Sequence, residues 1–163
     1  LISQITYADK LEQLSVDRSG NPIAYFSPKQ GCTKQIVKMI ENAEKSIHVA
    51  AYSFTSEPIT KALISAYSRG IDVKIVLDKS QRTAKYSSYY MLKELNVPTR
   101  INSNYAIMHN KFLIIDDNVL QTGSFNYTNA AEFNNAENVI ILPNRKIVKQ
   151  YMQQWQKLWD EAS

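Results

Sequence analysis

The residues best suited to chemistry lie in one stretch, 108–126, which holds His109, Lys111, Asp116, Gly123, Ser124 and Asn126. An imidazole, an ammonium, a hydroxyl and a carboxamide held together form a set that can grip the oxygens of a phosphate while a ring nitrogen attacks or donates a proton beside them. Taken singly, each has an ordinary role. A histidine on a strand is usually a hydrogen-bonded structural residue, a lysine a solvated charge, and a serine or asparagine a turn or helix cap. The case for chemistry therefore rests on placement.

Ile107, Phe112, Leu113, Ile114 and Ile115 make an apolar, β-favouring run that ends at the turn-prone Asp117-Asn118, which predicts a strand over 107–115. Alternation on that strand puts His109 and Lys111 on one face. If Asp117 and Asn118 are the central residues of a tight hairpin, Lys111 opposes Ser124 and His109 opposes Asn126. Opposed residues have Cβ atoms about 4.5–5.5 Å apart, so the four polar tips converge on one small anion. Alternatively, pairing stops near Gly123 and residues 124–131 turn into a short helix whose free N–H groups face the same anion. Asp116 falls on the opposite face from His109, which points to a structural role in the turn.

The spacing of His109, Lys111, Asp116, Gly123 and Ser124 resembles the HKD signature of the phospholipase D superfamily. The continuation Ser124-Phe125-Asn126-Tyr127-Thr128 and the later Asn135-Ala136-Glu137-Asn138 are similar to the small bacterial single-HKD nucleases of the Nuc type. The likeness runs from about Tyr25 to Trp159 and includes Ala51-Tyr52-Ser53-Phe54-Thr55. It implies a catalytic role for His109, Lys111 and Glu137, the last hydrogen-bonding the histidine. It also implies a phosphate site from Lys111, Ser124 and Asn126, with Asp116 and Gly123 as structural members of the motif.

Displacement at a phosphodiester needs a nucleophile on one side and a proton donor on the other, and imidazole suits both because it titrates near neutrality. This chain carries one motif and no internal repeat. Larger relatives carry two copies, whereas the small ones form homodimers. The resemblance thus implies an obligate homodimer in which a two-fold axis joins two His109 side chains in one composite site. No cofactor and no metal are expected. A divalent-metal nuclease displays clustered carboxylates, and Asp116-Asp117 is better explained by the turn.

A length of 163 residues with 44% hydrophobic and 21% charged content suits one domain, 1–163, with residues 1–22 as a peripheral N-terminal segment. A formal charge of +4 favours polyanionic partners such as nucleic acid or anionic lipid, and the resemblance implies nucleic acid, DNA above all, as the partner. The single Cys32 excludes an internal disulfide and reads as a buried or spectator thiol. No apolar run reaches transmembrane length. The chain begins at Leu1, so a leader or anchor could precede it, and the likeness to exported nucleases leans toward the bacterial periplasm or secretion.

Apolar periodicity predicts helices over 5–14 and 33–45, a helix from the cap Ser56 to before Gly70, and strands over 23–26, 46–54, 71–77 and 139–142. Strand, helix, strand implies a parallel crossover. The fold class expected is α/β, a mixed and mostly parallel sheet with helices on both faces, as in the phospholipase D-like fold. His48 reads as structural because no motif residue accompanies it. Lys79, Arg82 and Lys85 follow a strand end and either line a phosphate-backbone groove or form a solvated loop. Tyr86, Tyr89 and Tyr90 fall on a helix, where packing competes with base stacking. Ile147, Val148, Tyr151, Met152, Trp155, Leu158 and Trp159 form a core stripe on a C-terminal helix.

Three function classes follow. The first is a metal-independent phosphodiesterase acting as a largely sequence-independent endonuclease on DNA or RNA. The second is a phospholipid phosphodiesterase, and the third a catalytically silent nucleic-acid-binding module, disfavoured because every motif residue is present.

Overall fold

Strands whose residues are apolar on both faces belong in the middle of a covered sheet, and the runs Ser46–Ala51 (β2), Asp72–Asp78 (β3) and Lys111–Ile115 (β5) occupy that position in the computed structural model, which describes residues 4–163. The remaining strands are β1 (Ile23–Ser27), β4 (Thr99–Asn102), β6 (Val119–Gly123) and β7 (Glu137–Leu142). Together they form a seven-stranded sheet in the order β1-β7-β6-β5-β2-β3-β4. The helices are α1 (Tyr7–Gln13), α2 (Cys32–Glu41), α3 (Glu57–Ser68), α4 (Tyr89–Glu94), α5 (Asn129–Phe133) and α6 (Arg145–Asp160).

Alternation along each strand feeds two cores. Val49, Ile75, Leu113 and Ile141 face α2 and α3, where Ile36, Met39, Ile40, Ile59 and Leu63 meet them. Ala50, Val76, Phe112, Ile114 and Leu120 face the other way, against Val148, Trp155 and Leu158 of α6. Each Val, Leu, Ile, Phe or Met side chain among them contributes about 1.5–3 kcal/mol on burial. His48 lies on the α6 side, edge-on to Trp155 with ring centroids 4.4 Å apart, and burial lowers its pKa. It is structural, as its isolation in sequence implied.

The crossover β2-α3-β3 is parallel, with Ser46 level with Asp72. The sheet is mixed with helices on both faces, but its balance differs from expectation. Only β2–β3 and β3–β4 run parallel, while β1–β7, β7–β6, β6–β5 and β5–β2 are antiparallel. The cause is local: the tight β5–β6 hairpin reverses the chain, and β7 and β1 then continue the antiparallel run. The N-terminal segment is also less peripheral than expected. A capping box between Thr6 and Asp9 starts α1, and Leu11, Leu14 and Val16 are buried in the larger core.

The hairpin corrects the expected register by one residue. Ile115 pairs with Val119, so the loop is Asp116-Asp117-Asn118, with Asp116 and Asp117 left-handed at φ 55° and 52°. Asp tolerates that conformation better than most residues. Asp116 is then free to accept hydrogen bonds from the backbone N–H groups of Glu44, Lys45 and Ser46 at 2.7–3.2 Å. It clamps the α2–β2 turn at the end of the sheet away from His109. Asp116→Ala leaves those donors without their anion and should cost about 2–3 kcal/mol in urea unfolding. Asp116→Asn, which keeps an acceptor, should cost about half as much.

Candidate active site

The carboxyl ends of β2 and β3, the start of β5, the end of β6 and the start of β7 all lie at one edge of the sheet. Open α/β sheets bind ligands at such an edge, and the motif residues gather there. β5 begins only at Lys111, so His109 sits in the preceding loop and is exposed, not on a regular strand as expected. The cause is Asp78, at the end of β3. Its buried carboxylate accepts from the N–H of Met108 at 2.8 Å and of Ser80 at 2.9 Å, pulling residues 105–108 out of the sheet. Burial alone would raise the Asp78 pKa, but these backbone donors hold it below the usual carboxylate range. Asp78 went unnoticed in sequence, where its one signal was a carboxylate closing the apolar run Val73–Leu77.

His109 packs on Tyr52, with ring centroids 4.6 Å apart, and Lys111 reaches back to it. The Lys111 Nζ is 2.9 Å from Nδ1 and 3.1 Å from Nε2, and it donates to the His109 carbonyl at 2.9 Å. Burial lowers the Lys111 pKa, while the nearby Glu137 carboxylate opposes that shift. The histidine and lysine therefore do come together, through a bent loop instead of strand alternation.

Ser124 and Asn126 arrive differently from the hairpin expectation. Pairing of β6 with β5 ends at Phe112–Thr122, consistent with the alternative in which the strand stops near Gly123, although the helix begins only at Asn129. Ser124 then binds β7: its hydroxyl donates to Glu137 in a short hydrogen bond and accepts from the N–H of Asn138 at 3.1 Å. Gly123 permits this approach, having a φ of 149° and β7 backbone against its Cα. Glu137 also accepts from the Asn135 amide at 3.2 Å. The expected Glu137–His109 hydrogen bond is not made within the chain, because Glu137 is engaged by Ser124 and Asn135. Asn126 lines a groove beside Tyr52, and its Oδ1 is buried without a partner.

The cations placed on a possible groove differ in their surroundings. Lys79 donates to the carbonyl of Tyr105 at 3.0 Å and so braces the His109 loop. Arg82 is exposed, its carbonyl accepting from the Tyr90 hydroxyl, and Lys85 lies over the Tyr86 ring at 5.2 Å. Among the described residues, no three His, Cys, Asp or Glu side chains converge in a way that could hold a metal ion.

Residues 36–159 match the family described as cardiolipin synthase, PLD-like domain. A phospholipase D of Rickettsia prowazekii is 45% identical over 130 residues, which span 80% of this chain and 63% of that protein. The mitochondrial cardiolipin hydrolase of Xenopus tropicalis is 31% identical over 127 residues, 78% of this chain and 60% of that one. The chain thus spans somewhat under two thirds of the length of these relatives. Among solved structures, the phospholipase D family member Nuc from Salmonella typhimurium superposes with a TM-score of 0.83 at 36% identity, covering 88% of this chain and 96% of that one. With the motif at one sheet edge and this match along nearly all of Nuc, the chain belongs to the phospholipase D superfamily, with a single HKD motif in this stretch and the fold of the Nuc type.

Proposed function

We propose that the protein is a metal-independent phosphodiesterase that hydrolyses DNA or RNA without marked sequence preference, at a site shared by two copies of the chain. The observation that carries this reading is the convergence of His109, Lys111 and the Ser124–Glu137 pair at one sheet edge. In the free chain the Lys111 ammonium lies within 3.1 Å of both His109 ring nitrogens, against the imidazole. An incoming phosphate oxygen draws the ammonium off the imidazole, and a ring nitrogen attacks phosphorus.

Attack forms a nitrogen–phosphorus bond and breaks the bond to the leaving oxygen, which takes a proton from His109 of the partner subunit. That second imidazole then removes a proton from water, whose oxygen displaces the first and releases a phosphomonoester. Lys111, Ser124 and Asn126 hold the non-bridging oxygens and stabilise the charge gained in the transition state. Glu137 supports this indirectly, by fixing Ser124 and favouring the charged form of Lys111. Exposed Phe26 and Ile140, on strands paired beside Asn138, offer an apolar surface next to the site on which a second copy could close.

A second reading, hydrolysis of phospholipid diesters, is favoured by the names of the Rickettsia and Xenopus relatives. The deciding experiment offers plasmid DNA, single-stranded DNA, RNA and cardiolipin vesicles to the purified protein in excess EDTA. Cleavage of nucleic acid that survives chelation is the expected result. Cleavage of vesicles alone would transfer the same histidine chemistry to lipid, and activity restored only by a divalent ion would overturn the metal-independent mechanism.

A further inference from the structure

A groove of about 700 Å³ opens beside His109, far more space than a phosphate needs. Two residues of its wall touch the reacting centre. Tyr52, which packs on the His109 imidazole, forms part of its wall, and so does Asn135, which is bonded to Glu137. Its lining is hydroxyls and carboxamides with one charged side chain, Glu57, and that carboxylate is paired with Lys61 one turn along α3. No cation waits there for a second phosphate. The groove suits a neutral, hydrogen-bonding portion of the substrate.

Two side chains in it lack partners that a folded chain would normally supply. The Asn126 Oδ1 is buried without a hydrogen-bond donor, which is costly unless a ligand provides one. Tyr86 is 72% exposed, an unusual position for a large aromatic ring, and only its neighbour Lys85 lies over it. Tyr89, three positions on, is the tyrosine that packs on the core. A flat exposed ring at the wall of the groove is a stacking platform, with the Lys85 ammonium over it.

We infer that this groove is the subsite for the nucleoside esterified to the scissile phosphate, with its base stacked on Tyr86 and an N–H or O–H of the nucleoside donating to Asn126. The inference rests on the nucleic-acid reading proposed above. A base reaches Tyr86 only when it is outside a duplex, so single strands and frayed ends are the better substrates.

The test uses a dinucleotide with one scissile phosphodiester, and two analogues in which one or the other base is removed. The wild-type protein should cleave the intact dinucleotide about tenfold more efficiently than one of the analogues, the loss falling on KM, as expected for one stacked base. Tyr86→Ala should bring that ratio close to one, and Tyr86→Phe, which keeps the ring, should restore it. Cleavage of the intact dinucleotide by Tyr86→Ala with the tenfold discrimination undiminished would overturn the subsite and leave the nuclease reading standing. Failure of the wild-type protein to cleave any nucleic acid while it hydrolyses vesicle phospholipid would overturn both.

Discussion

His109→Ala should remove turnover, by about 10⁴-fold or more, because in the site proposed above the substitution deletes both the nucleophile and the proton donor. Binding of nucleic acid should survive, since Lys111, Ser124 and Asn126 remain and His109 is exposed and carries no core packing. Mixing gives the sharper result. If each site needs His109 from both copies, an equimolar mixture of wild-type and His109→Ala chains, left to exchange, retains about a quarter of the wild-type activity at the same total concentration, because only one dimer in four carries two histidines. Independent sites would instead retain about half. A linear fall of activity with wild-type fraction, measured after exchange is shown by differently tagged chains, would refute the composite site while leaving the single-histidine requirement intact.

That prediction depends on features of unequal visibility in the sequence. The motif residues and the fact that they belong together were legible, because His109, Lys111, Gly123 and Ser124 carry chemistry and spacing together. The helix α6 and the strands β2, β3 and β7 were legible too, their apolar patterns being long and regular. The route by which the side chains meet was not. Strand alternation accounts for the facing of Lys111 but not of His109, whose loop is set by Asp78, a residue some thirty positions away that sequence periodicity reads only as a strand end. The hairpin register slipped by one because Asp116 and Asp117 both adopt left-handed conformations, making a three-residue loop where two were expected. β4 is short, and its pairing with β3 is decided by tertiary packing, so local pattern gave no sign of it. Tyr86 and Tyr89 look alike in sequence, and only the fold shows that one packs inward while the other faces the groove.

Gly123→Ala should produce the largest loss of stability of any single methyl addition at a glycine in this chain. A Cβ on Gly123 would lie 2.1 Å from the Asn138 carbonyl oxygen and 2.9 Å from its carbon, and β7 backbone cannot give way without breaking its pairing with β6. The φ of 149° adds strain of its own. The expected cost is about 3 kcal/mol or more by urea unfolding, the range of overpacking combined with a strained backbone. Activity should fall further than folding alone explains, because the same displacement separates Ser124 from the Asn138 N–H and from Glu137. Gly70→Ala provides the comparison. Gly70 has a φ of 90° but nothing within 4 Å of an added Cβ, so it isolates backbone strain, about 1 kcal/mol, from collision. If the two substitutions cost the same, the close approach of β6 to β7 is not what makes glycine necessary before Ser124, and Ser124 owes its position to something other than that contact.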